Sequence, residues 1–390
     1  MRKFKVAEFF AGAGLVRRAL EGVGRFSIVF ANDIEAKKER LYRLNFSRSS
    51  EFRLGDVRRI HGRDVPDCDL ATASFPCTDL SLAGNRLGLK GEQSGAFHEF
   101  ARLLGEMGSR RPKVVLLENV VGFASSHGGR DMRDAIAALN ALGYACDPML
   151  LDARWFSAQS RPRLFVVGVQ SELRAAESGE RHEMLRPAWL ARFLDAHRGR
   201  LDFTTLPIPI PNFAGGATLS SVVERIYARD DRWWNGERTR RFVKSLAPLH
   251  RRRLEAMAKS KSLTWATAYR RTRKGSATWE IRPDDISGCL RTTSGGSSRQ
   301  ALVEAGRGIY RVRWMTAREY ANLQGFPEFR FDEARESEAM FALGDAVCVP
   351  VFEWLGRNCL GPLLSGSVRE AVFVANGELA SPAPSETAYA

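Results

Sequence analysis

The sequence contains no close pair of cysteines. Its six, Cys68, Cys77, Cys146, Cys289, Cys348 and Cys359, are scattered along 390 residues. This excludes the ligand spacing of a structural zinc site and the dense disulfide framework of a small secreted domain. Reduced, mostly inert thiols are expected, and no metal. Long apolar runs are missing too, and Met1-Arg2-Lys3-Phe4-Lys5-Val6 leads straight into a strand-like segment with no leader-type apolar region. A cytoplasmic protein without a membrane partner is expected. Internal repeats are absent. Acidic residues are scarce in one region: between Arg232 and Arg282, fifteen Lys or Arg stand against three Glu, while the chain as a whole carries +14. Trp233, Trp234, Trp265, Tyr269 and Trp279 are interleaved with these cations. The composition suits phosphate contacts combined with stacking, and a solvated basic surface is the plainer alternative.

What is present is an alternation. Short apolar runs rich in β-branched or aromatic residues occur at Phe4–Phe10, Ser27–Ala31, Leu70–Phe75, Val114–Leu117, Ala145–Leu151 and Leu164–Val169. Between them, apolar residues recur at three- and four-residue spacing over Val16–Gly22, Ala36–Asn45, Phe97–Gly108 and Asp131–Leu142. The pattern predicts a doubly wound α/β domain over 1–170. From 171 to 312 it breaks into Pro- and Gly-rich stretches, such as Pro207-Ile208-Pro209-Ile210-Pro211, Gly215-Gly216 and Gly295-Gly296, around the basic segment. A second, smaller and less regular domain is expected there. Helical periodicity returns at Thr316–Leu323 and Val351–Leu360, so 313–365 is expected to pack back on the first sheet, and 366–390 reads as a tail with a disordered end.

Four motifs carry chemistry. Glu8-Phe9-Phe10-Ala11-Gly12-Ala13-Gly14 is a strand entering a Gly turn that opens a helix, with Asp33 about 20 residues on, at the end of the next strand, where it can reach a ribose hydroxyl. Arg17 stands where a dinucleotide fingerprint wants its third Gly, so an adenosyl ligand is favoured over a nicotinamide one. Such a turn can also serve tight packing alone. Ser74-Phe75-Pro76-Cys77 ends a strand and opens the Gly-punctuated segment Thr78–Gly95. A cysteine at the ligand-binding edge of an open sheet is a candidate nucleophile, and a buried inert thiol is the alternative. Leu116-Leu117-Glu118-Asn119-Val120 puts a carboxylate at a strand end, where apolar neighbours would raise its pKa and suit it to donate a proton, unless an Arg pairs with it. Gln159-Ser160-Arg161-Pro162-Arg163 places two guanidinium groups at a strand entrance.

Taken in this order, the motifs resemble those of the DNA cytosine-5 methyltransferase family. The resemblance extends to Arg313-Trp314-Met315-Thr316-Ala317-Arg318-Glu319-Tyr320-Ala321-Asn322-Leu323-Gln324-Gly325-Phe326-Pro327 and to Gly344-Asp345-Ala346-Val347-Cys348-Val349-Pro350. It implies a Rossmann-like class I methyltransferase sheet, S-adenosylmethionine as cofactor, and a target-recognition domain in the middle segment. Cys77 would add to C6 of a flipped-out cytosine, making C5 nucleophilic. Glu118 would serve N3, and Arg161 would hold O2 with Arg163 in support. The loop Thr78–Gly95 would close over the base. Phe10, Gly12 and Gly14 would line the cofactor site, with Asp33 on the ribose and Asp56 on the adenine amino group. Ile34, Val57, Pro76, Phe97, Asp345 and Ala346 would complete it.

Three residues depart from the family's pattern: Ile34 replaces the usual Trp, Thr78 the usual Gln and Asp345 the usual Asn. The first weakens stacking on adenine, and the last adds a carboxylate that would favour the methionine ammonium or alter donor preference. Double-stranded DNA is the expected partner, bound by a monomer that works either beside a cognate restriction endonuclease or alone. Two alternatives stay open. An RNA cytosine-5 methyltransferase would not need so large a middle segment, and a silent DNA-binding protein would not need Cys77, Glu118, Arg161 and Arg163 together.

Overall fold

The computed structural model describes residues 2–47, 49–76, 95–173, 179–212, 217–273, 276–292 and 299–366. Cys77, Thr78 and all of the Thr78–Gly95 loop except Gly95 lie outside the described residues, as do Gly215-Gly216, Gly295-Gly296 and the tail beyond Gly366.

Strands are β1 Phe4–Phe9, β2 Phe26–Asp33, β3 Phe52–Leu54, β4 Leu70–Ala73, β5 Val114–Val120, β6 Tyr144–Asp152, β7 Pro162–Gln170, β8 Thr264–Arg273, β9 Ser276–Ile281, β10 Ala301–Gly306 and β11 Ile309–Trp314. Helices are α1 Leu15–Gly22, α2 Ala36–Asn45, α3 Ala96–Glu106, α4 Arg130–Ala141, α5 Ala188–Ala196, α6 Leu219–Val222, α7 Gly236–Lys244, α8 Pro248–Ala258, α9 Ala317–Leu323, α10 Glu336–Asp345, α11 Val349–Leu355 and α12 Gly361–Ser365. The first sheet has the order β3-β2-β1-β4-β5-β7-β6. Its strands run parallel except β7, which lies antiparallel to both β5 and β6. This is the Rossmann-like methyltransferase fold.

Alternate residues of the central strands point to opposite faces, and each face meets its own helices. Val6, Leu116, Phe165 and Val167 share one buried cluster with α1, α9 and α11; Ala7, Phe9, Val115, Leu117 and Val166 share another with α3 and α4. The segment after β7 is not wholly separate. Leu185, Leu190 and Leu206 join these two clusters, and Phe203 bridges to Cys146 on β6.

The basic region is more regular than its sequence suggested, because it builds a second sheet, β11-β10-β8-β9, entirely antiparallel. Phe242 and Leu246 of α7 and its following turn, and Leu254 of α8, cover one face over Ala268, Val303 and Ala305. Here the aromatic signal needs correction. Trp234 and Trp279 are ring neighbours at 5.7 Å within this core, and Trp265 packs against the first sheet's cluster. Large rings fill the gap that the small Ala side chains leave between sheet and helices.

The two sheets are tied by a buried ion pair. Arg313, at the end of β11, donates through Nη1 to Oε2 of Glu319 on α9 at 2.8 Å, and both residues are fully buried. Glu319 also accepts from the amides of Thr316 and Glu224. The helical stretch Glu336–Ser365 corrects one expectation: it is long and apolar enough by composition to cross a bilayer, but 67% of its most apolar window is buried inside the fold. It is a core element, with Phe352 against Phe165 at 5.6 Å.

Removing one member of a buried pair strands the other charge. Glu319→Gln should therefore lower stability by roughly 3–5 kcal/mol in urea unfolding, and Arg313→Met with Glu319→Met should recover most of that loss. A single replacement costing under about 1 kcal/mol would show that the pair does not hold the sheets together.

Candidate active site

In the first sheet β2, β1, β4 and β5 are consecutive neighbours with one direction, so their C-terminal ends form a single edge. β7 runs the other way, which brings its first residues to that edge too. Topology thus gathers Phe10 and Gly12 after β1, Asp33 ending β2, Pro76 after β4, Glu118 in β5 and Arg163 in β7.

At the β1–β2 end of this edge the backbone is shaped for close approach. Phe10, Gly12 and Gly14 all have positive φ (58°, 57° and 85°), and for Phe10 this costs roughly 1–2 kcal/mol. A Cβ on Gly14 would also run into the rings of Phe46 and Tyr42. Asp33 accepts from the Gly12 amide at 2.8 Å and from the Glu35 amide at 2.9 Å, which fixes its carboxylate against the turn. Asn32 donates to the carbonyls of Arg53 and Gly55, both at 2.9 Å, and so carries Asp56 and Val57 to the same edge. Arg58 bonds the Asp56 carboxylate and holds its pKa below the usual value. Ile34 is 63% exposed beside Asp33. Phe97 is a core residue, fully buried with its ring 5.6 Å from Phe75.

Asp345 does not present a spare carboxylate. It bonds Lys38 Nζ at 2.6 Å. Burial depresses the Lys38 pKa, but Asp345 and Asp33 more than offset that and leave it raised. The reason is positional: α10 ends beside the start of α2, and Lys38 lies between the two acids. Glu8 beneath the turn is different. Only 1% exposed, it has no hydrogen-bond partner for either carboxylate oxygen among the described residues. Burial raises its pKa well above the usual value, and Glu21, Asp33 and Glu51 add to the rise against Arg17.

At the other end Glu118 is buried and lies 3.0 Å from Arg163 Nε, so the carboxyl has both the enclosed strand-end setting and the Arg partner that the sequence set against each other. Asn119 donates to the Phe75 carbonyl at 3.1 Å and thereby pins the chain that leads into Pro76. Sequence reading gave Asn119 no role; its place in Glu118-Asn119-Val120 was the available signal.

Arg161 is 3% exposed and occupied. Its Nη1 donates to Leu290 O at 2.9 Å, and its Nη2 to Ala346 O at 2.6 Å and Gly344 O at 3.3 Å. Its backbone N–H bonds Asp152. Gln159 accepts from the Leu290 amide at 3.1 Å and donates to Leu323 O and Gln324 Oε1, both at 3.3 Å. The two expected arginine roles therefore separate, with Arg163 beside Glu118 and Arg161 bonded into the backbone. A small cavity between them is lined by Glu118, Arg161, Arg163, Phe165 and Cys348.

A Gly-shaped turn, an acid on the second strand and a carboxylate–guanidinium pair thus share one edge of a sheet of the Rossmann-like methyltransferase class, the edge at which such sheets bind ligands. Within that class, the chain belongs to the C-5 cytosine-specific DNA methylase family, whose family model matches residues 4–361. It is 28% identical over 366 residues to the Type II methyltransferase M.Bsp6I of Bacillus sp. (strain RFL6), covering 92% of this chain and 99% of that one. To the Type II methyltransferase M1.ScrFI of Lactococcus lactis subsp. cremoris it is 27% identical over 361 residues, covering 92% and 78%. Among solved structures, the S. pombe Dnmt2 methyltransferase shares the fold at TM-score 0.60 and 18% identity, with 94% of this chain and 99% of that one covered.

The Glu8 carboxyl supplies a test with a defined sign. A raised folded pKa means that the neutral form is stabilising; this contribution is complete below the unfolded value and is lost as pH rises through the folded one. Glu8→Gln, neutral throughout, should gain Tm relative to the parent between about pH 5 and pH 8. A Tm difference that stays constant across this range would contradict the buried-acid assignment.

Proposed function

We propose that this protein transfers a methyl group from S-adenosylmethionine to C5 of a cytosine flipped out of duplex DNA at a specific short sequence. The observation that carries the reading is the convergence of Gly12, Asp33, Pro76, Glu118 and Arg163 on one sheet edge. The cofactor fits the residues present. The turn at Phe10–Gly14 leaves room for a close ligand, Asp33 would hold the ribose, Asp56 would accept from the adenine amino group, and exposed Ile34 would offer the adenine an aliphatic face. When bound, the cofactor supplies an electrophilic methyl group on sulfur.

C5 of cytosine is a poor nucleophile. Addition of the Cys77 thiolate to C6, as the family resemblance implies, pushes electrons toward C5 and onto N3 and O2. Glu118 donates to N3 as that charge develops. Arg163, already oriented by Glu118, holds O2, whereas Arg161 keeps the surrounding backbone in place. After methylation at C5, loss of the C5 proton lets the sulfur leave C6 and restores the ring. A stacked base cannot enter this edge, so the target must leave the helix.

The second sheet and its basic helices form the recognition side. Arg240, Arg241, Lys244, Arg251 and Arg252 are exposed for phosphate contacts. β10 pairs with β8 only over Thr264–Ala268, so the remainder of the β8–β9 hairpin extends past β10 as a two-stranded ribbon with exposed Arg271 and Thr272. Such a ribbon fits a major groove. Similarity to Type II methyltransferases makes protection against a cognate restriction endonuclease the fitting cellular role.

Incubation with labelled S-adenosylmethionine and unmethylated genomic DNA, followed by base-resolution mapping, should give 5-methylcytosine at one recurring sequence and none with Cys77→Ser. Arg163→Ala should lower kcat by about 10²–10³-fold with the fold intact. Arg161→Ala should instead lower Tm. Label in RNA, or DNA binding without label, would replace the reading by one of its alternatives, and equal kinetic effects of both arginine variants without loss of Tm would overturn their separation.

A further inference from the structure

The cations of the second sheet are not spread evenly over it. Arg238 of α7 lies over two indole rings, 4.2 Å from the centroid of Trp234 and 5.2 Å from that of Trp314. Arg299 lies over the same Trp314 ring at 5.6 Å, and Arg270 over Trp279 at 5.8 Å. The three rings are mutual neighbours, with centroids 5.7, 5.1 and 5.8 Å apart. One aromatic group therefore carries three guanidinium groups.

Local structure explains the gathering. Arg270 follows Ala266 and Ala268 on the helix-covered face of β8, and Trp279 is its cross-strand partner. Ala268 pairs with Ala301, the first residue of β10, so Arg270 stands just beyond the end of that strand. Arg299 precedes β10 and donates through Nη2 to the Met315 carbonyl at 2.9 Å, one residue after β11 ends at Trp314. Arg238 reaches the rings from the first turn of α7, where Asn235 accepts from its amide. Acids do not match this charge. Glu336 lies 3.8 Å from Arg299, and Glu237 pairs with Arg241 at 3.3 Å. The Arg238 guanidinium has no hydrogen-bond or ion-pair partner among the described residues. Burial, followed by the charges of Arg241, Arg299 and Arg270, holds its pKa below the ordinary value. An anion shared by these groups would relieve their repulsion, and the rings have already set their planes.

This end of the second sheet is also where both connections to the first sheet depart. β11 passes through Trp314 into α9, and the chain entering β10 comes from residues 287–290, which bond Gln159 and Arg161. We propose that Arg238, Arg270 and Arg299, seated on Trp234, Trp279 and Trp314, form a phosphodiester site that grips the backbone of duplex DNA near the target base. The inference rests on the DNA-methylation reading and adds to it the place where the backbone is held. The rings read no sequence. They hold the guanidinium forks in place, so that phosphate oxygens are met with little further loss of side-chain freedom.

The test uses the full-length protein and a short fluorescein-labelled, unmethylated duplex, with anisotropy read between about 50 and 200 mM salt. Arg238→Gln and Arg299→Gln should each lower the slope of log K against log salt by about 0.9 at parental Tm. If the second variant fails to fold, the first decides. Arg63→Gln, which removes an exposed cation from the turn between β3 and β4, should leave the slope unchanged. Equal reductions in all three would make the effect one of net charge and overturn the site. So would a fall in Tm at parental slope, which would leave the cations as covers for the rings alone. Arg238→Lys keeps the charge but not the planar fork, and should retain the slope while raising Kd about threefold. Parental affinity in that variant would overturn the role of the rings. In methyl transfer, Arg238→Gln should raise KM for DNA and leave kcat within about twofold. Tighter binding of single-stranded RNA than of the duplex at every salt concentration would overturn the assignment to duplex DNA. Failure of the methylation reading would appear separately, as a parent that binds the duplex with these slopes and places no methyl group on it.

Discussion

A guanidinium with 3% exposure must find acceptors inside the protein, and Arg161 finds them in two separate parts of the chain, both distant from its own. Its own backbone sits where β7 begins, Leu290 belongs to the segment leaving the second sheet, and Gly344 and Ala346 belong to the end of α10. Leaving such a cation unpaired costs several kcal/mol, so the arrangement of these segments is coupled to its burial. Gln159 and Gln324 repeat the device with neutral amides, between Leu290, Leu323, Leu343 and Ala346. The part of the sheet edge that carries Glu118 and Arg163 is framed by these bonds.

The cofactor side obeys the same logic with fewer charges. Asp33 accepts one amide on each oxygen, from Gly12 and Glu35, and Asn32 draws in the chain at Arg53 and Gly55. Strain at Phe10 is tolerated because β1 is held between β2 and β4 on either side. Lys38 and Asp345 close this region across two helices that are far apart in sequence, turning an apparent extra negative charge into an internal pair.

The second sheet and the first sheet's C-terminal edge are thus fastened to one another. Arg313–Glu319 joins the second sheet to α9, and the 287–290 segment joins it to Arg161. Arg240, Arg241, Lys244, Arg251 and Arg252 of α7 and α8 and Arg271 of the β8–β9 ribbon are exposed, which leaves them available to a polyanion.

Much of the first sheet was legible in the sequence because its strands are short apolar runs and its helices keep a 3.6-residue period; α2 coincides with the predicted Ala36–Asn45. β3 is three residues long and carries no such signal. The strands of the second sheet were hidden because Thr264–Arg273 mixes Trp, Ala and Arg without clean alternation, and because Pro and Gly around it read as irregular chain. By itself, the sequence determined the order of the motifs, the alternation that makes a doubly wound sheet, and the segment in which positive charge gathers, since these are properties of neighbouring residues. Only the tertiary structure decided that Arg163 lies beside Glu118 while Arg161 is bonded into the backbone, that Asp345 belongs to Lys38, and that Arg238 lies over Trp314. Each of those is a contact between residues well separated along the chain, where distance and burial set the chemistry.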